Sequence, residues 1–214
     1  MDILKEAEAL QDEIVANRRD IHGYAELGFD LPKTRALVWN RLTEYGCAPY
    51  AVGKTGVCCD FGRKGPMVLL RADMDALPMK EESGLPFAST NGHAHACGHD
   101  IHTAMLLAAA KLFKRHEDEL KGRVRLMFQP AEETLGGAKD MIDNGVLDGV
   151  EAAFGLHVGV GFPLSYSGII SVPNGPSSAI PLKCTVRVPT AHSRRKASMR
   201  FSSPSGLSRR SRCC

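Results

Sequence analysis

Between Tyr50 and Val158 the chain alternates short apolar runs of strand length with longer stretches of helical period, and this alternation admits few folds. Tyr50–Val52, Gly56–Phe61 and Met67–Arg71 read as strands, divided by Gly53-Lys54 and by Gly62-Arg63-Lys64-Gly65-Pro66, in a meander that feeds the buried strand VLLRAD. Arg123–Phe128, closed by Gln129-Pro130, and then Ala152–Val158 and Gly168–Val172 read as further strands. Helical spacing appears over residues 3–17, from Pro32 to about Tyr45 with Gly46 as the stop, over Ile101–Arg115, and over Gly137–Asn144 before Gly145. Strands separated by helices predict an α/β fold: a mostly parallel sheet with flanking helices.

The charge pattern predicts where that fold stops. From Met1 to Pro176 there are 18 Lys and Arg against 24 Asp and Glu, a balance of −6; from Ser177 to Cys214 there are 9 Lys and Arg, 9 Ser and no acid, a balance of +9. No carboxylate side chain follows Glu151. Thr185–Val188 still has strand character, but SRRKASMRFSSPSGLSRRSRCC has almost no hydrophobic face and is expected to be disordered. Residues 1–176 therefore read as one folded part and residues 177–214 as a basic tail. A shifted reading frame or a truncated gene accounts for the sudden loss of acids better than a nucleic-acid-binding arm, because no aromatic besides Phe201 is interleaved with the basic residues.

Composition excludes several classes. A length of 214 residues suits one ordinary domain with room for part of a second. Apolar residues make up 43% and charged residues 24%, with no apolar run of membrane-spanning length, so neither a membrane span nor wholesale disorder is expected. The acidic, amphipathic start MDILKEAEALQDE is unlike a secretory signal and points to the cytoplasm. Seven cysteines in no framework spacing predict reduced thiols.

The residues that carry chemistry lie where predicted strands end. His93 to His102 holds four of the eight histidines, with Cys97 and Asp100. Cys97 and His99, two apart around the pliant Gly98, can reach a common metal, and the start of the following helix would favour the Cys97 thiolate; the plain alternative is a solvated His-rich loop. Glu132 and Glu133 follow a strand and Pro130. Of two adjacent carboxylates one can ligate a metal while the other faces its water, although such pairs are common on surfaces. His157 ends an apolar strand and would by itself read as a packed core residue. Asp73 and Asp75 end another strand; Asp75 reads equally as an acceptor that orients a ligand histidine and as a turn cap. Taken together, Cys97, His99, Glu133 and His157 offer soft, borderline and hard donors suited to Zn, Mn, Co or Ni. His22, His116 and His192 have no supporting neighbours and read as surface or packing residues.

RRDIHGYAELGF (18–29), RADMDALP (71–78), HACGHDIHTAMLL (95–107), FQPAEE (128–133) and FGLHV (154–158), in this order, resemble the hippurate hydrolase and indole-acetyl-amino-acid hydrolase branch of the aminoacylase/carboxypeptidase-like metallopeptidases. The resemblance covers about residues 10–176. It implies a di-metal exopeptidase-like catalytic domain that cleaves the amide of a small N-acyl amino acid to a carboxylic acid and a free amino acid. It further implies two divalent cations held by Cys97, His99, Glu133 and His157, with Glu132 as the general base. Tyr24-Ala25 stands where the family usually has His-Pro. The family's inserted lid domain, which helps bind the substrate carboxylate and supports dimerisation, and a further ligand histidine after it are both missing from this sequence. A metal-binding fragment without catalysis is therefore the alternative expectation, and dimerisation is not expected.

Overall fold

The computed structural model describes residues 2–159, 169–171 and 178–180. The chain divides into two units, Met1–Gly159 and Val160–Cys214. In the first, helices α1 (Ile3–Glu8), α2 (Gln11–Gly23) and α3 (Pro32–Glu44) lead into strands β1 (Tyr50–Val52), β2 (Gly56–Phe61) and β3 (Met67–Asp73). Helix α4 (His99–Arg115), strand β4 (Arg123–Gln129), helix α5 (Gly137–Asp143) and strand β5 (Val150–Gly155) follow. In the second unit, β6 (Ile169–Ser171) pairs antiparallel with β7 (Ser178–Ile180).

The five strands of the first unit form one sheet in the order β1-β2-β4-β3-β5. Strands β4, β3 and β5 run parallel, and β1 and β2 add an antiparallel edge beyond β4. Strand alternation sorts the side chains into two layers. Val57, Cys59 and Phe61 of β2 and Leu126 and Phe128 of β4 meet Val38 and Leu42 of α3 and Leu106, Leu107 and Ala110 of α4. On the opposite face Cys58, Leu69 and Met127 pack with Met141 of α5 and with Val146. Each fully buried leucine in the larger layer contributes about 1.5–3 kcal/mol by leaving water.

The βαβ unit β3–α4–β4 sets the geometry of the functional end. Parallel strands need a crossover, and α4 supplies it. The carboxyl ends of β3 and β4 come into register, with Asp73 opposite Gln129, and Arg71 stands opposite Gly155 of β5. Asp75, Glu132, Glu133 and His157 therefore leave the sheet on one rim.

Several expectations change. The helix predicted over 3–17 breaks at Ala9 and Leu10, because Leu10 turns inward and is buried, and α2 resumes and runs on to Gly23. The predicted meander is interrupted: β4 inserts between β2 and β3, so β3 has parallel neighbours on both sides. Helix α4 begins at His99 rather than Ile101, from Gly98 at φ 89°, a left-handed conformation that favours glycine. Strand β5 stops at Gly155, which leaves His157 in the following loop. Strand β7 lies beyond Pro176, within the stretch expected to be a tail. Thr185–Val188, His192 and the disorder expected for residues 193–214 lie outside the described residues. Among the described residues no helix is long and apolar enough to cross a membrane.

One glycine fixes the layer behind the glutamate turn. A Cβ at Gly137, the first residue of α5, would stand 1.5 Å from the Pro130 carbonyl oxygen, so only glycine lets α5 approach the Pro130-Ala131 turn. Gly137→Ala is expected to lower stability by about 1–3 kcal/mol or more, read by thermal melting. Gly23→Ala, whose Cβ would meet only the Phe87 carbonyl at 3.7 Å, should leave the melting point nearly unchanged. Equal melting of the two variants would contradict this packing.

Candidate metal centre

Asp75 is fully buried just beyond β3 and ties three segments together. Its Oδ1 accepts the Glu132 N–H at 2.9 Å and its Oδ2 accepts the Glu133 N–H at 3.1 Å. Its backbone carbonyl accepts the His99 Nδ1–H at 2.8 Å. The Asp75 carboxylate caps the glutamate turn and its main-chain oxygen holds the histidine, with Oδ1 also 3.6 Å from His99 Nδ1. The turn itself is strained, since Ala131 and Leu135 hold φ of 50° and 57° without being glycine.

Fixing Nδ1 as the donor leaves His99 Nε2 with a free lone pair facing the cluster. That nitrogen is buried without a hydrogen-bond partner, 3.4 Å from Asp73 Oδ2, 3.8 Å from Glu132 Oε2 and 3.8 Å from Glu133 Oε1. Glu133 Oε1 and Asp73 Oδ2 are likewise buried without a partner. Arg71 Nη1 forms an ion pair 2.7 Å from Asp73 Oδ2 that is not a well-directed hydrogen bond. Such atoms are costly in a folded protein unless something else binds them.

Across the cluster, Cys97 Sγ lies 3.4 Å from His157 Nε2. Cys97, His99 and His157 each offer a donor atom within 4.8 Å of the others, and so do His99, Glu132 and Glu133. All the residues selected from the sequence at strand ends, Asp75, Cys97, His99, Glu132, Glu133 and His157, therefore converge. Burial and the neighbouring Glu133, Glu132 and Asp73 carboxylates push the Cys97 thiol up to about 11, against the effect of its place before a helix. For the buried Asp73, desolvation alone would raise the carboxyl, but the His102 hydrogen bond and the charges of Arg71, His99 and His102 hold it below the usual range. A mixed sulfur, nitrogen and oxygen donor set with surplus negative charge and unpartnered buried lone pairs fits divalent cations.

The remaining histidines sort themselves by their contacts. His102 lies in the cluster, hydrogen-bonded to Asp73 Oδ1 at 2.6 Å, a partner that only the fold reveals. His93 points at the Ala25 carbonyl, 3.3 Å away, and His95 is buried beside His22 with both ring nitrogens unpartnered, where burial pushes it down to about 4. His22 is no bystander. Its Nδ1 lies 2.7 Å from Asp100 Oδ2, which also accepts from Arg18 at 2.7 Å, and its Nε2 lies 3.0 Å from Glu81. The partners stand 78 and 59 residues away, which is why local sequence could not show them. His116 pairs with Glu119 and Glu6 at the far end of α4.

Asp75→Asn keeps the size of this side chain but turns one acceptor into a donor that faces a backbone N–H. A stability loss of about 1–3 kcal/mol, with faster hydrogen exchange at the amides of Glu132 and Glu133, is the expected result. Unchanged melting and exchange would contradict the clamp.

The chain is similar to known proteins in sequence and in fold. The family described as Peptidase family M20/M25/M40 matches residues 69–203, past Pro176 and into the basic segment. N-acetyl-L-cysteine deacetylase of Bacillus subtilis (strain 168) is 48% identical over 153 residues, 69% of this chain and 36% of that protein. N-acyl-L-amino acid amidohydrolase of Geobacillus stearothermophilus is 40% identical over 192 residues, 87% of this chain and 51% of that protein. The crystal structure of the Bacillus subtilis YXEP protein, described as a dinuclear metal binding peptidase, superposes with a TM-score of 0.72 at 42% identity, covering 79% of this chain and 48% of that one. The chain thus spans about a third to a half of the length of the curated relatives it matches. On the family match and the shared fold, the chain belongs to Peptidase family M20/M25/M40.

Proposed function

We propose that this chain carries the metal-binding part of an amidohydrolase that splits the amide of N-acyl amino acids, hippurate among them, into a carboxylate and a free amino acid. The observation that carries the reading is the group of buried, unpartnered donors, His99 Nε2 and Glu133 Oε1, within reach of the Cys97–His157 pair. Cys97, His99, Glu133 and His157 would hold two divalent cations, Zn, Mn, Co or Ni by donor type. Bound there, the cations supply Lewis acidity toward the amide carbonyl and the attacking water. Glu132 is the more open of the two glutamates, with 34% of its side chain exposed against 22% for Glu133, which suits it to exchange protons with water and substrate. Glu132 takes a proton from water as the oxygen adds to the carbonyl carbon, then delivers it to the amide nitrogen as the C–N bond breaks. Asp75 positions that base through its backbone N–H.

The names of the relatives, a deacetylase of N-acetyl-L-cysteine and an N-acyl-amino-acid amidohydrolase, support small N-acyl amino acids as the substrate class. Free thiols at Cys47, Cys58, Cys59 and Cys97 suit a reducing, cytoplasmic setting. We assign residues 1–176 to the catalytic domain and residues 177–214 to a basic tail. A second reading, a metal-binding fragment that does not turn over, is favoured by one fact: the chain spans only 36% and 51% of those two relatives.

One experiment separates the two. The chain loaded with Mn or Zn is assayed for release of glycine from hippurate, beside Glu132→Gln. The proposed enzyme shows metal-dependent release that the variant lowers by about 10²–10⁴-fold while its metal content stays the same. Stoichiometric metal without release marks the inert fragment, and a chain that binds no metal overturns both readings.

A further inference from the structure

His102 stands nearly one turn along α4 from His99, is fully buried, and has no part in the reaction as proposed. Its ring is engaged at both nitrogens. Val158 donates its backbone N–H to Nε2 at 2.9 Å, so Nε2 is an acceptor and the ring proton sits on Nδ1. Nδ1–H in turn donates to Asp73 Oδ1 at 2.6 Å, and the neighbouring Thr103 hydroxyl donates to the Asp73 carbonyl at 2.7 Å. Asp73, His99 and His102 lie close enough to resemble a ligand trio. His102 nevertheless has no lone pair to spare for a cation, unlike His99 with its unpartnered Nε2.

The contact with Val158 matters because Val158 follows His157. The Val158 side chain seats in the hollow left by Gly98, where a Cβ would stand 2.4 Å from Val158 Cγ2, immediately after Cys97. The His157 ring meets the His102 ring edge-on, 4.7 Å between centroids at 70°. His157 donates from Nδ1 to the Val158 carbonyl at 2.7 Å, which leaves Nε2 unprotonated and facing Cys97 Sγ. His157 itself is exposed and lies beyond the end of β5, so the sheet does not hold it in place.

We infer that the buried Asp73–His102 pair is the positioning element for His157: it fixes the Val158 backbone and the facing ring, so that His157 Nε2 meets the Cys97 side of the centre. The inference rests on the metal-site reading above and adds a residue to it. Asp73 fixes the His102 ring proton, the ring accepts Val158, and Val158 locks the loop against Gly98. His102 acts through another residue and touches neither cation nor substrate.

The test titrates the full chain with Zn²⁺ against a competing chelator. His102→Asn can still reach Asp73 but offers no acceptor at the Nε2 position; it should weaken zinc binding about 10–100-fold. His102→Gln, whose side-chain oxygen can accept the Val158 N–H, should recover part of that loss. Because His102 works through His157, the double variant His102→Asn/His157→Ala should bind zinc no more weakly than His157→Ala alone. Unchanged binding by His102→Asn, or losses that multiply in the double variant, overturns the inference while leaving the metal site standing. A wild-type chain that binds no zinc removes the metal-site reading and this inference with it. Nitrogen-15 spectra of the metal-free wild type give a readout that needs no variant: the expected His102 tautomer carries its proton on Nδ1, and a proton on Nε2 overturns the assignment.

Discussion

The bonding of Asp75 is the constraint on which the rest of the site depends. One buried carboxylate accepts two consecutive backbone N–H groups from a turn 57 and 58 residues away, and the same residue's carbonyl holds a histidine 24 residues away. Three segments that meet nowhere else in sequence are joined at one residue beyond a parallel strand. The geometry follows from the βαβ unit: β3 and β4 end in register, α4 crosses between them, and its first residue is His99. The clamp also ties the backbone of the strained turn, where Ala131 and Leu135 hold positive φ, to the end of β3.

Charge gives the clamp its purpose. Asp73, Glu132 and Glu133 crowd one buried imidazole nitrogen, and Arg71 is the cation recorded against Asp73 there. Bringing carboxylates out of water costs several kcal/mol per ion unless they are paired; burial and the same carboxylates also push the Cys97 thiol up. Cations at this rim, as proposed, would offset that cost, with lone pairs supplied by the buried unpartnered atoms of His99 and Glu133.

Much of this was legible along the chain, and the parts that were not share a cause. Strands β1 and β2 fall where the apolar alternation puts them, because both are bounded by glycine turns. Cys97, His99, Glu132, Glu133 and His157 could be selected because each stands at the end of a strand-like run or at the start of a helix, where α/β sheets place their sites. Strand order was not legible: β4 enters between β2 and β3 through pairing that no local pattern records. Nor were the partners of His22 and His102, since Asp100, Glu81 and Asp73 come from other elements. The break at Leu10 was hidden because a buried leucine at a helix corner keeps the same spacing as one within a helix. That Asp75 holds His99 through its main-chain oxygen was not legible either, because side-chain and main-chain oxygens of one residue cannot be told apart by sequence.

The central claim is that the unpartnered donors at this rim form one built site for a pair of cations. Anomalous diffraction from the metal-soaked chain, collected at the edge of the added metal, tests it most directly. The account predicts two peaks about 3.5–4 Å apart, flanked by Cys97, His99, Glu133 and His157. Metal located instead at the thiols of Cys58 and Cys59, or no anomalous peak between His99 Nε2 and Glu133 Oε1, would contradict it.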